Sequence, residues 1–363
     1  MTPILEKYRE FLPLGGVAQT VDLGEGNTPL IRGISISPNG GALYLKLEQL
    51  NPTGSFKDRF AAVEAALLKQ AGLEALIATS SGNTGSALAA YSARYRLRCL
   101  LFVNEVTPTN KLKQMLVYGA RVFRIKGFGV SKDQSGLIFS RLQQVAEATR
   151  APLVVSAFKY SPAGMEGIKT IAYEIVEQLG KPPDQVFVPV GGGGLLTGIW
   201  RGFLDLKDRA LIDRLPRMNA VQPILNDTMV SALVDGGDKA REVTTTTNIS
   251  GLAVQVDIDA TLALRAVKAS DGYGYLVSDE DIRRAQQDLC LREGIFVEPA
   301  GAASVAGFLQ ASAQGLVGSD ENVVCILTGH GLKDTSSAED ASLAKEIVSL
   351  DLSEIDQRLI ERS

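Results

Sequence analysis

Short apolar runs take turns with longer helix-forming segments along most of this 363-residue chain. Residues 75–79, 99–103, 121–125 and 153–156 read as strands, with helices at 87–94, 109–118 and 132–149 between them. The pattern restarts with a helix over 166–179, strands at 185–190 and 217–222, and helices at 195–206 and 224–234. Ser278 and Asp281 have the spacing of a capping box ahead of a helix to Glu293; a helix at 300–311 and a last buried strand at 322–327 follow. A strand that returns to its sheet through a helix must return parallel, so this alternation dictates βαβ units. The expected fold is α/β: two three-layer αβα lobes with twisted, mostly parallel sheets and a cleft between them. The chain is too long for one simple core. Residues 60–159 are expected to form the smaller lobe, and residues 1–59 with 160–363 the larger one.

In open α/β sheets ligands bind beyond the carboxyl ends of the strands. Three loops stand there: 80–86, 191–194 and 328–334. Gly191, Gly192, Gly193 and Gly194 lie between a strand and a helix, where bare backbone N–H groups and the helix N-terminus suit an anion. No Gly-Lys-Ser/Thr follows, and the G-x-G-x-x-G spacing fails at Leu196 and Thr197, so one phosphate fits better than a dinucleotide. The competing reading is a tight strand–helix turn, but four glycines cost more entropy than a turn requires. Ser81-Gly82-Asn83-Thr84-Gly85 opens another helix with hydroxyls and an amide, and reads either as a carboxylate cradle or as an ordinary capped start. Thr328 at a strand end reads, alone, as packing.

Lys57, in Asn51-Pro52-Thr53-Gly54-Ser55-Phe56-Lys57-Asp58-Arg59, stands where a loop becomes a helix, with Ser55 as the expected N-cap. Burial there would lower its pKa and free a nucleophilic amine able to form a Schiff base. The bland alternative is a solvated lysine at a helix start. Composition narrows the chemistry further. His330 is the single histidine, which excludes histidine triads and histidine-rich metal sites, so no metal is expected. Cys99, Cys290 and Cys325 are far apart and read as reduced core thiols of a cytoplasmic protein. A net charge of −4 gives no footprint for nucleic acid. No apolar run predicts a membrane span, and residues 1–14 predict no secretory signal.

An amine, a phosphate cradle, a carboxylate cradle and a strand-end hydroxyl together resemble the fold-type II pyridoxal-phosphate enzymes. The Lys57 segment is most similar to the lysine motif of the threonine synthases. Glu25-Gly26-Asn27-Thr28-Pro29-Leu30, Ser80-Ser81-Gly82-Asn83-Thr84, Glu166-Gly167, Lys169-Thr170, Glu298-Pro299-Ala300 and Thr328-Gly329-His330-Gly331-Leu332-Lys333-Asp334 point the same way, in family order. The resemblance implies pyridoxal 5'-phosphate carried on Lys57, which then moves protons as a free amine. It implies that Asn83 meets the cofactor's phenolic oxygen, that Gly191, Gly192, Gly193, Gly194 and Leu195 hold its phosphate, and that Thr328 faces its ring nitrogen. A hydroxyl at that nitrogen favours elimination and replacement over transamination. Ser81, Gly82 and Thr84 would receive the substrate carboxylate.

The leading expectation is the conversion of O-phospho-L-homoserine and water to L-threonine and phosphate by a cytoplasmic homodimer. The alternatives are a serine/threonine dehydratase, a β-replacing synthase using serine or an activated serine, and a non-catalytic protein of this fold. Two departures bear on the choice. The loop from Gly191 through Gly198 resembles the dehydratase version. Gly164 stands where many short threonine synthases carry an arginine for the substrate phosphate, and Lys159 or Arg59 is expected to serve instead. Phe60 replaces a customary glycine.

Overall fold

The computed structural model describes residues 2–18, 20–37, 42–129 and 131–334, with Ser349, Asp351 and Leu352. Apart from those three residues, the chain after residue 334, which the sequence reads as a charged helical tail, lies outside the described residues. Ten strands are present among them: β1 Leu30–Arg32, β2 Ala42–Leu47, β3 Ala75–Ala78, β4 Arg98–Asn104, β5 Arg121–Ile125, β6 Leu153–Val154, β7 Gln185–Pro189, β8 Arg217–Pro223, β9 Gly274–Val277 and β10 Asn322–Leu327. They form two sheets. The larger has the order β1-β2-β10-β7-β8-β9, and the smaller β5-β4-β3-β6. Every pairing is parallel except β1 with β2.

The inner strands β3, β7 and β10 are buried on both faces, which is why they read as apolar runs rather than alternating ones. In β3, Leu76 and Ala78 join one core with Leu88 and Met115, while Ala75 and Ile77 join another with Leu142 and Ala146. In β10, Val324 and Ile326 face the core that holds Leu196, Ile199 and Phe203. Val323, Cys325 and Leu327 face Ala302, Val305 and Phe308 of the Pro299–Ala313 helix. The period-2 strand therefore sends alternate residues into helices above and below, and the three-layer packing follows.

The expected 224–234 helix is broken. A 3-10 turn, Ile224–Asn226, precedes a short helix, Val230–Val234. Polar side chains take the intervening backbone: Gln222 Oε1 accepts from the N–H groups of Met229 and Val230 at 2.9 and 3.2 Å, and Asp227 Oδ1 from Ser231 at 2.9 Å. The helix Ala260–Ala269 and strand β9 are additions to the sequence reading. Ser278 does cap the Asp279–Glu293 helix, accepting from the N–H of Asp281. No described helix is long and apolar enough to cross a membrane.

Candidate active site

The carboxyl ends of β3, β4 and β6 from one sheet and of β7 and β10 from the other open onto a cavity of about 1030 Å³. Lys57, Ser81, Gly82, Asn83, Thr84, Gly191, Gly192, Gly193, Gly194, Leu195 and Thr328 all line it. Lys159 does not. Asp259 accepts the N–H groups of Phe158 and Lys159 at 2.7 and 3.1 Å, and this turn leaves the Lys159 side chain exposed, its amine 5.5 Å from the centre of the Tyr160 ring. The expectation that Lys159 binds substrate is corrected on that ground.

Lys57 opens the helix Lys57–Gln70, with Phe56 at the N-cap position and no side-chain cap. Ser55 is therefore not the cap. Its backbone pairs with Gly329, and its buried hydroxyl has no partner. Asp58 ties down the loop instead, accepting from the N–H of Thr53 at 2.6 Å and from its hydroxyl. Lys57 is half-buried and donates to Ser156 Oγ at 2.8 Å. Burial brings its ammonium down to about 8, while the carboxylates of Asp259 and Glu298 act in the opposite direction. About a tenth of the amine is thus neutral at pH 7, far more than for an ordinary lysine.

Arg59 cannot meet a substrate. Its guanidinium is fully buried and forks onto two carboxylates, Glu48 at 2.7 Å through Nε and Nη2, and Glu174 at 2.7 and 2.8 Å through Nη1 and Nη2. Lys46 completes the cluster, 2.7 Å from Glu174. Thr28 and Thr170 add hydroxyls to Arg59, so two of the motifs picked out in the sequence meet here and serve packing rather than chemistry.

Gly164 does not line the cavity either. It is buried against the Lys57 helix, where a Cβ would stand 2.3 Å from Glu64 Oε2 and 2.9 Å from the Phe60 ring. Phe60 fills the space that a side chain at 164 would need. The glycine at 164 and the phenylalanine at 60 are thus one packing exchange.

The glycine loop has a conformation that demands glycine. Gly193 has φ +94°, and a Cβ there would stand 2.5 Å from the backbone of Asp259. The 15-residue helix Gly194–Asp208 begins at the loop, and its first N–H groups have no helical acceptors. At the facing helix start, Asn83–Tyr95, Gly82 occupies the N-cap without a side-chain cap, so those N–H groups are also free to meet an anion. Asn83 Nδ2 donates to both oxygens of Glu298, at 2.9 and 3.1 Å, and Thr328 Oγ1 lies 3.4 Å from Glu298 Oε1. Lys111, Lys113 and Lys333 line the outer wall. Lys111 is 3.3 Å from Ser250 Oγ, and Lys333 donates to Thr53 O at 3.1 Å and Gln114 Oε1 at 2.7 Å. Ser156, Lys111 and Asp259 carry no motif of their own, and only their position after strands or in facing loops could have marked them; Lys333 stands inside the 328–334 motif, which does not signal its role as a cavity cation.

The cradle fits a phosphate, because its conformation excludes any side chain at Gly193 and directs unpaired donors inward. The amine of Lys57 in the same cavity fits an aldehyde, and the hydroxyl of Thr328 fits a neutral ring nitrogen. A pyridoxal phosphate therefore matches the groups present.

Known proteins agree with this chemistry. The family model described as pyridoxal-phosphate dependent enzyme matches residues 21–329. A threonine synthase of Methanocaldococcus jannaschii is 38% identical, covering 93% of this chain and 82% of that protein. One from Halalkalibacterium halodurans is 37% identical over 92% of this chain and 90% of its own length. Among solved structures, processed threonine deaminase isoform 2 from Solanum lycopersicum shares the fold, with a TM-score of 0.75 at 22% identity over 95% of this chain and 94% of that one. Serine racemase from Dictyostelium discoideum gives a TM-score of 0.69 at 27% identity over 84% and 92% of the two chains. The match across nearly the whole chain, with the amine and the cradle in one cavity, places this protein in the pyridoxal-phosphate dependent enzyme family.

Proposed function

We propose that this enzyme converts O-phospho-L-homoserine and water to L-threonine and phosphate. The observation that carries the reading is the cationic outer wall. Lys111, Lys113 and Lys333 line the cavity in addition to Lys57. A phosphate ester needs such charge-assisted donors, each worth about 1.5–3 kcal/mol, whereas serine or threonine does not. Threonine synthases are the curated relatives at 34–38% identity, which supports the same substrate.

When bound, pyridoxal phosphate supplies the electron sink that makes the C–H bonds of an amino acid acidic. Gly191, Gly192, Gly193, Gly194 and Leu195 would hold its phosphate, Asn83 its phenolic oxygen and Thr328 its ring nitrogen. Ser81, Gly82 and Thr84 would bind the substrate carboxylate at the helix start. Lys57, released as a neutral amine, takes the Cα proton and then a Cβ proton. The wall lysines draw off the phosphate leaving from Cγ. The two abstracted protons return, one to Cγ to complete the methyl group and one to Cα, while water adds its hydroxyl at Cβ and gives its own proton to the released phosphate. Residues 60–159, which supply every strand of the smaller sheet, act as one lobe against the rest. A homodimer in the cytoplasm follows from the family resemblance.

Lys111→Ala and Lys333→Ala test the reading. Each is expected to raise KM for O-phospho-L-homoserine by about tenfold or more. An unchanged KM in both, or a higher kcat/KM for keto-acid formation from serine or threonine, would move the assignment to the dehydratase chemistry that the glycine-loop sequence resembles.

A further inference from the structure

Glu298 stands at the N-cap of the Pro299–Ala313 helix, yet its side chain makes no capping bond. The carboxylate turns into the cavity wall instead, 9% exposed. There it accepts from Asn83 Nδ2 at 2.9 and 3.1 Å, and its Oε1 is 3.4 Å from Thr328 Oγ1. It thus joins two groups that come from different sheets and face the cofactor site.

The surrounding backbone is built to hold it. The N–H of Glu298 donates to Gly329 O at 2.8 Å, and Val297 pairs with His330. A Cβ on Gly329 would stand 2.3 Å from Glu298 Oε1, so the carboxylate lies directly over that glycine. A Cβ on Gly301 would stand 3.0 Å from Thr328 N. The Glu298-Pro299-Ala300 and Thr328-Gly329 segments, which the proposed chemistry leaves without a role for the glutamate, are therefore interlocked.

An amide side chain can present either its acceptor or its donors to a cavity. An ionised carboxylate accepts only, so it selects the orientation in which Asn83 turns Nδ2 toward it. Both contacts are made by that one nitrogen, so the donor end of the amide is the end held at the cavity wall. With the amide reversed, Oδ1 would oppose the phenolic oxygen of the cofactor. The charges around Glu298 are the ammonium groups of Lys57 and Lys333 and the carboxylate of Asp334, and Asp259 also faces Lys57.

We infer that Glu298 is a positioning residue for the cofactor: it fixes which end of the Asn83 amide faces the site, and it supplies negative charge beside Lys57. This rests on the cofactor assignment and not on the choice of substrate. Its test is run without substrate, so its failure leaves the threonine reading standing.

Pyridoxal phosphate affinity of E298A, N83A and the double variant is measured by equilibrium titration of the folded apoproteins. E298A is expected to weaken binding by about tenfold, and to add nothing further in the N83A background. In E298Q, which keeps an acceptor and loses the charge, the pH midpoint of the visible absorbance change of the loaded protein is expected to fall by about one unit. An E298A effect that simply adds to that of N83A overturns the orientation role. A midpoint unmoved in E298Q overturns the charge role. Should E298A not fold, the E298Q midpoint decides the inference alone.

Discussion

At Lys57 burial and two carboxylates compete over one proton, and burial wins, leaving the amine at about 8. The neutral fraction therefore rises with pH and levels off once pH exceeds that value. Capture of pyridoxal phosphate by the apoprotein, measured by stopped-flow absorbance relative to a free-lysine control, is expected to plateau above about pH 8. A rate that climbs steadily toward pH 10.5, the ordinary lysine value, would show that burial does not set the amine. Lys57→Ala should lose both the cofactor's visible band and turnover. Glu64 shows the opposite sign. Burial raises its carboxyl to about 7, with the N–H of Gly164 the one group that resists. The unfolded chain sheds this proton near 4.5 and the folded one near 7, so stability falls as pH rises through that window. Glu64→Gln should raise the urea midpoint at pH 8 and leave it nearly unchanged at pH 4.

At the scale of elements, Lys57 is held by what flanks it. Arg59 closes two carboxylate forks, and removing one partner of a buried ion cluster costs about 3–5 kcal/mol. Arg59→Met should therefore lower stability by that order in urea unfolding, and Arg59→Lys, with one ammonium for two forks, should restore only part of it. The glycine loop makes a different demand. Gly193→Ala meets both a left-handed φ and a backbone 2.5 Å away, so cofactor affinity should fall at least tenfold. Gly180, with φ +70° and open space around it, tolerates the same change at about 1 kcal/mol. These elements were legible in the sequence because their signals are contiguous: four glycines after an apolar strand, or a lysine between a loop and a helix. The break after β8 was not, because Gln222 reaches forward to capture N–H groups that the pattern assigns to a helix.

Across the whole molecule, the order of strand-end loops announced a cavity, but the direction of a loop side chain depends on partners far along the chain. Lys159 points outward because Asp259, 100 residues later, holds its backbone. Arg59 reads as an available cation and is instead enclosed, since Glu48 and Glu174 approach from separate segments. Beyond Lys57, the cations that line the cavity, Lys111, Lys113 and Lys333, come from the two sides of the cleft. Nothing in the local spacing marks Lys111 or Lys113, and the motif that contains Lys333 gives no sign that its amine enters the cavity. The exchange of Phe60 and Gly164 has the same lesson: each looks like a departure alone, and together they fill one space.

If this cavity turns a phosphate ester into threonine on Lys57, phosphate and threonine must appear together. The most direct measurement incubates the pyridoxal phosphate-loaded protein with O-phospho-L-homoserine, and follows phosphate and threonine together by mass spectrometry. The two products are expected in equal amounts from the native protein, and neither from Lys57→Ala. Native protein that carries the cofactor on Lys57 yet releases no phosphate, or yields keto acid in place of threonine, would contradict that expectation.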